Sequence, residues 1–174
     1  MTQPLSASEG FAAQRYRFGT ITPSGNTVVE RITQGIVREL PHVSAHFSRT
    51  PVFGSTDPSP DAYAAEGLVA AAGLLAHAAP QVLVWNGSKG AGIGFDHDRR
   101  LVLAIRAATG ITTTTSILGM DLLLRARGFR RVGVVTPYSD AGHRKTLDCL
   151  AREGYECVAD AHSGLSDNLS YAGV

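Results

Sequence analysis

No apolar stretch in the sequence approaches the roughly 20 residues that a bilayer-spanning helix needs, so a helical membrane span is excluded. A basic run is missing too. The formal charge of +1 is spread along the chain, which argues against nucleic acid or an anionic membrane surface as a main partner. Cysteine is scarce, with only Cys149 and Cys157. One falls in an expected helix and the other in the strand after it, so they form neither a disulfide framework nor a metal-ligand spacing. Residues 1–14 lack the apolar centre of a signal peptide and read as a loose N-terminal arm, and a cytoplasmic location is expected. What remains is ordinary globular material: 174 residues, 44% hydrophobic and 18% charged, enough to enclose a real core.

The chain is organised around Gly19-Thr20-Ile21-Thr22-Pro23-Ser24-Gly25-Asn26-Thr27. A buried strand over 15–21 meets Pro23 and Gly25, which break it, and Thr27 with Glu30 has the spacing of a capping box for the next helix. If Thr27 caps that helix, Ser24 and Asn26 are left to face an anion at its positive end. An ordinary strand-to-helix turn uses the same small polar residues, so both readings stand on this stretch alone. The pattern returns 114 residues later as Gly133-Val134-Val135-Thr136-Pro137-Tyr138-Ser139-Asp140. Such an echo points to a duplicated α/β unit with two facing turns.

Between the turns the periodicity alternates. Val28, Ile32, Ile36 and Leu40 predict a helix over 28–40 with one face against a sheet. Val43 to Ser48 predicts a strand with His46 outward, and the proline-rich 49–60 segment a flap. Asp61 is expected to cap an alanine-rich helix over 62–78 anchored by Leu68, Leu74 and Leu75. Gln81 to Trp85 reads as a central parallel strand buried on both faces. It runs into Asn86-Gly87-Ser88-Lys89-Gly90-Ala91-Gly92-Ile93-Gly94, a glycine-rich loop in which backbone amides, the Ser88 hydroxyl and the Lys89 ammonium can approach a small ligand. Neither a phosphate-binding loop nor a dinucleotide fingerprint fits these glycines. Asp96, His97 and Asp98 are adjacent and point in different directions, so no metal is expected.

Asp98 is expected to cap a helix over 99–109. Thr112 to Thr115 either lines the pocket or extends the chain between halves. Helices over 117–127 and 143–152 flank a strand over 131–136, with another strand at 155–159. His143, in a first helical turn, is expected to be exposed. The implied organisation is an arm over 1–14, a first lobe over 15–111 and the start of a second over 112–174.

The segments 22–30, 84–88, 94–96 and 135–140 resemble the aspartate/glutamate racemase superfamily, in its branch of maleate cis-trans isomerases and arylmalonate decarboxylases. The resemblance implies two pseudo-symmetric Rossmann-like lobes with parallel central sheets, the second incomplete here, enclosing a small dicarboxylate. It implies no cofactor, no metal, and a homodimer or higher oligomer. It makes Asn26 a carboxylate ligand beside Ser24, Ser88 a donor in the first-lobe anion hole, Tyr138 its second-lobe counterpart and Asn168 a further contact. Gly87 stands where racemases and maleate isomerases place a cysteine, and a glycine at this place resembles the decarboxylases, which keep only the second-lobe cysteine. The second-lobe cysteine is then expected beyond Val174, and neither Cys149 nor Cys157 substitutes for it. The chemistry implied is a cofactor-independent lyase or isomerase reaction through an enediolate. The alternative is a non-catalytic carboxylate-binding protein that has lost the thiols.

Overall fold

The alternation of short apolar runs with amphipathic stretches folds as an α/β protein with parallel sheets. A computed structural model describes residues 16–52 and 63–173. The arm over 1–14, most of the expected flap and the Asp61 cap lie outside them. In chain order the elements are β1 (Tyr16–Pro23), α1 (Val29–Val37), β2 (Val43–Thr50), α2 (Ala65–Ala76), β3 (Val82–Trp85), α3 (Gly90–Ile93) and α4 (Phe95–Thr109). There follow β4 (Thr112–Thr115), α5 (Ser116–Ala126), β5 (Arg131–Thr136), α6 (Asp140–Arg152), β6 (Glu156–His162) and α7 (Asn168–Tyr171).

The first sheet has the order β2-β1-β3-β4 and is parallel throughout. Its central strands carry the apolar run, and Ile21, Leu83 and Trp85 are fully buried with Leu68 and Ile105 from α2 and α4. The second, smaller lobe has β5 and β6, also parallel. Phe95 of α4 packs with Ile117, Leu150 and Tyr155 in a second cluster that joins the two lobes. A further joint is α3 against α6, where a Cβ on Gly92 would lie 3.4 Å from Thr146 Oγ1. That is ordinary van der Waals contact, so an alanine would fit and only a side chain extending past Cβ would press on α6.

Several expectations are corrected. Val28, Ile32, Ile36 and Leu40 do not pack into the core but are 37–65% exposed, and no residue of α1 is buried. The helix lies against the edge strand β2, so its apolar stripe meets little of the sheet. Leu74 is likewise 66% exposed, whereas Leu68 and Leu75 are buried. Asp98 does not cap a helix that begins after it, since α4 starts at Phe95 and encloses it. Part of the glycine-rich loop is helical, as α3. Thr112 to Thr115 pairs with β3 and so belongs to the first sheet rather than to the second lobe.

His143 is also corrected, being buried rather than exposed. Its Nδ1 lies 2.9 Å from Thr136 Oγ1 and its Nε2 3.0 Å from Asp160 Oδ1, with the His162 ring edge-on at 4.9 Å. One side chain thereby ties β5, α6 and β6 together. His143→Ala leaves Thr136 unpaired and opens a cavity, so an expected loss of about 2–4 kcal/mol is measurable by urea unfolding.

Candidate functional site

The two Thr-Pro turns end β1 and β5, and both reach one cavity of about 320 Å³, lined by Pro23 from the first and by Tyr138 and Ser139 from the second. The turn after β3 contributes Gly87, Ser88 and Lys89, and Asn168 and Tyr171 close it from α7. Four residues singled out from the sequence, Gly87, Ser88, Tyr138 and Asn168, therefore share one cavity. The lobes meet at its wall, where the Tyr138 hydroxyl donates to Ser88 Oγ at 2.7 Å. Burial pushes the Tyr138 phenol above its ordinary value, with the Ser88 hydrogen bond opposing it, so it remains a protonated donor through neutral pH. Its ring is steadied edge-on by Tyr171 at 5.9 Å.

Ser24 and Asn26 are placed differently, and neither is among the residues lining this cavity. Asn26, not Thr27, receives the helix start, its Oδ1 accepting from the amides of Val28 and Val29 at 2.9 and 2.8 Å. Ser24 Oγ accepts from the Val52 amide at 3.3 Å. Arg49 closes the turn from outside by donating to the carbonyls of Ser24 and Asn26 and pairing with Glu30 at 2.8 Å. The capping-box spacing misled because an asparagine one position earlier competes for the same amides. Asn168 donates its Nδ2 to the Val52 carbonyl at 3.1 Å, and its Cβ lies 3.4 Å from where a Cβ on Gly25 would stand. The start of α7 is thus held against the first turn.

Behind the 87–90 turn the interior is polar and poorly paired. Tyr63 Oη, Trp85 Nε1 and Asp98 Oδ2 are buried without hydrogen-bond partners, as is Thr22 Oγ1 at the end of β1. Trp85 and Tyr63 meet edge to face at 4.9 Å, and Tyr63 also lines the cavity, with Lys89 Nζ 5.7 Å from its ring centroid. Burial holds the Tyr63 phenol well above its usual range, and the nearby Asp98 carboxyl adds to the rise. Tyr63, Lys145 and Tyr171 lie outside the turn motifs, and no sequence signal separates them from ordinary surface or core positions.

Asp98 is fully buried, and burial raises its carboxyl above the ordinary value against opposing contacts from Thr115 and His97. The folded state then binds more protons than the unfolded state between the usual aspartate value near about 3.9 and the raised one. Stability is highest below that window and falls as pH rises through it. Asp98→Asn removes this titration, so the melting temperature of the variant should gain on the parent as pH rises through the window, by calorimetry.

Among the described residues no cluster of three His, Cys, Asp or Glu can hold a metal, and no helix is long and apolar enough to cross a membrane. Cys149 is buried beside Arg152, whose Nη2 lies 2.9 Å from its Sγ. Neither it nor Cys157 lines the cavity.

No protein-family model and no curated protein matches the sequence. Solved structures do match. The maleate isomerase Iso from Pseudomonas putida S16 superposes with a TM-score of 0.82 at 26% identity, over 91% of this chain and 68% of that one. The fold is that of the maleate isomerases. A Nocardia farcinica maleate cis-trans isomerase holding a covalently bound succinylcysteine intermediate matches over the same shares with a TM-score of 0.82 at 22% identity. Unliganded arylmalonate decarboxylase matches with a TM-score of 0.68 at 25% identity, over 86% of this chain and 63% of that one. The neighbours thus lie in the branch that the sequence resembles, and the maleate isomerase fold is present over about two thirds of their length.

Proposed function

We propose that this chain binds a small dicarboxylic acid for a cofactor-independent lyase or isomerase reaction. The observation that carries the reading is the Tyr138–Ser88 hydrogen bond of 2.7 Å at the cavity wall, which sets one hydroxyl from each lobe side by side. A substrate carboxylate oxygen entering there accepts from both in place of their mutual bond. Loss of a proton or of carbon dioxide next to that carboxylate builds an enediolate, and two preorganised donors at its oxygens lower the barrier by several kcal/mol. Asn168 lines the same cavity, and its amide nitrogen donates to the Val52 carbonyl. Ser24 and Asn26 serve this reading by holding the first turn in shape.

A binding protein without turnover is the second reading, favoured by the position of both cysteines away from the cavity. Thermal-shift titration with malonate, maleate and aspartate tests the common part: stabilisation is expected, and its absence for every acid would remove both readings. Assays of carbon dioxide release and of maleate isomerisation on the same acids separate enzyme from binder. The bare apolar residues Ile36, Leu122 and Val135, 65–80% exposed, support association into dimers or larger forms, which sedimentation equilibrium reads directly.

A further inference from the structure

Gly142 has an ordinary helical conformation within α6, where the backbone has no need of glycine and alanine is the better helix former. What the position lacks is room for a Cβ. One placed there would stand 3.2 Å from Tyr138 Cβ, 3.8 Å from Tyr138 Cγ and 3.7 Å from Ser139 Oγ. The first separation is tighter than nearly all real Cβ contacts, so Tyr138 would have to give way by a few tenths of an ångström. Its backbone is held against doing so. Ser163 donates its amide to the Thr136 carbonyl at 3.1 Å, Gly164 to the Tyr138 carbonyl at 3.0 Å and Leu165 to the Pro137 carbonyl at 2.8 Å. On the helix side, Ser139 Oγ accepts from the Gly142 amide at 3.4 Å and His143 Nδ1 lies 2.9 Å from Thr136 Oγ1, which ties α6 to the same turn. The displacement therefore falls on the Tyr138 side chain, and a tilt at its Cβ is magnified at the hydroxyl on the far end of the ring.

We infer that Gly142 is a positioning residue for the Tyr138 hydroxyl: by carrying no Cβ it seats the ring so that Oη meets Ser88 Oγ of the other lobe at 2.7 Å. The inference rests on the reading that this pair of hydroxyls receives the substrate carboxylate, and adds what sets their alignment. A hydrogen bond weakens with stretching and steeply with misalignment, so a small tilt of the phenol costs binding without costing the fold. The glycine gives up helix propensity for the placement of a donor. Gly142 also lines the cavity, so a methyl group there has a second route to weaker binding, by crowding the ligand directly. The two routes separate cleanly. Crowding persists when the Tyr138 hydroxyl is absent, whereas mispositioning of that hydroxyl then has nothing left to act on.

The test is a double-mutant cycle on the full chain: the parent, Gly142→Ala, Tyr138→Phe and the two changes together. Isothermal titration calorimetry reads the binding of malonate and maleate, and thermal melting reads the fold. Gly142→Ala should melt within about 3 °C of the parent or higher, because the gain in helix propensity offsets the tight contact. It should nevertheless bind both acids about threefold to tenfold more weakly. In the Tyr138→Phe background the same substitution should change affinity by less than about twofold. Parent-like binding by Gly142→Ala, with Tyr138→Phe weakened, overturns the positioning role and leaves the carboxylate site in place. Losses of equal size in both backgrounds overturn it as well, since the methyl group then crowds the ligand. A melting temperature far below that of the parent makes Gly142 a requirement of the fold and overturns the role too. Absence of binding by either acid to the parent, or unchanged binding by Tyr138→Phe, overturns the positioning role and the underlying reading together.

Discussion

Gly87→Cys should lower the melting temperature by about 2–12 °C, and Gly87→Ala should do nearly the same. A Cβ at position 87 would stand 2.3 Å from Trp85 Cζ2 and 2.6 Å from its Nε1, well inside any contact that real atoms make. The indole cannot swing away cheaply, because Trp85 is fully buried and held edge-on by Tyr63. Overpacking of this kind costs about 1–3 kcal/mol, and each kcal/mol moves the midpoint of a chain this size by about 2–4 °C. Trp85→Leu removes the opposing atoms, so adding Gly87→Cys to it should cost less than about 1 kcal/mol. Calorimetry on the four proteins closes the cycle. A Gly87→Ala protein as stable as the parent would sink the argument. A side chain at position 87 therefore requires Trp85 to shift or to be changed with it.

Tyr138→Phe should abolish most of whatever turnover the protein has while sparing the fold. The ring and its edge contact with Tyr171 at 5.9 Å survive the change, and only the donor to Ser88 is lost. Removal of one preorganised donor at a developing oxyanion costs about 10²–10³ in kcat. In the binding-only reading the same variant weakens maleate about tenfold, the worth of one hydrogen bond to a charged group. Steady-state kinetics and titration calorimetry on one preparation distinguish the two. Unchanged kcat and unchanged affinity would remove Tyr138 from the site.

Local signals served well where one segment decides the outcome. The strand over 131–136 appears with those ends, and the run ending in Trp85 is central in its sheet, because a short apolar run bounded by breakers has few other places to go. The two Thr-Pro turns and the glycine-rich turn between them were legible for the same reason, and Ser88 and Tyr138 of those turns line one cavity. The resemblance to the maleate isomerase and arylmalonate decarboxylase branch rests on those turns, and the solved neighbours lie in that branch.

Periodicity failed where it needed knowledge of a partner. The stripe Val28, Ile32, Ile36 and Leu40 is amphipathic as read, but amphipathicity says nothing of how much sheet is there to cover it. Equivalent positions in the two echoes make the point: Ile21 has 0% exposure and Val135 has 80%, although both follow the same glycine and precede the same Thr-Pro pair. The four-stranded sheet that contains β1 shields one, and the two-stranded second sheet leaves the other bare.

The sequence by itself determined the ends of β5 and the paired turns, since these depend on residues within a few positions of one another. Only the tertiary structure decided which donors share a cavity. It committed Asn26 to the amides of Val28 and Val29 and Asn168 to bracing Val52, buried His143 between two strands, and set Trp85 under Gly87. Each of these depends on contacts between segments far apart in the chain, and side-chain hydrogen bonds go to whichever partner folding places within reach.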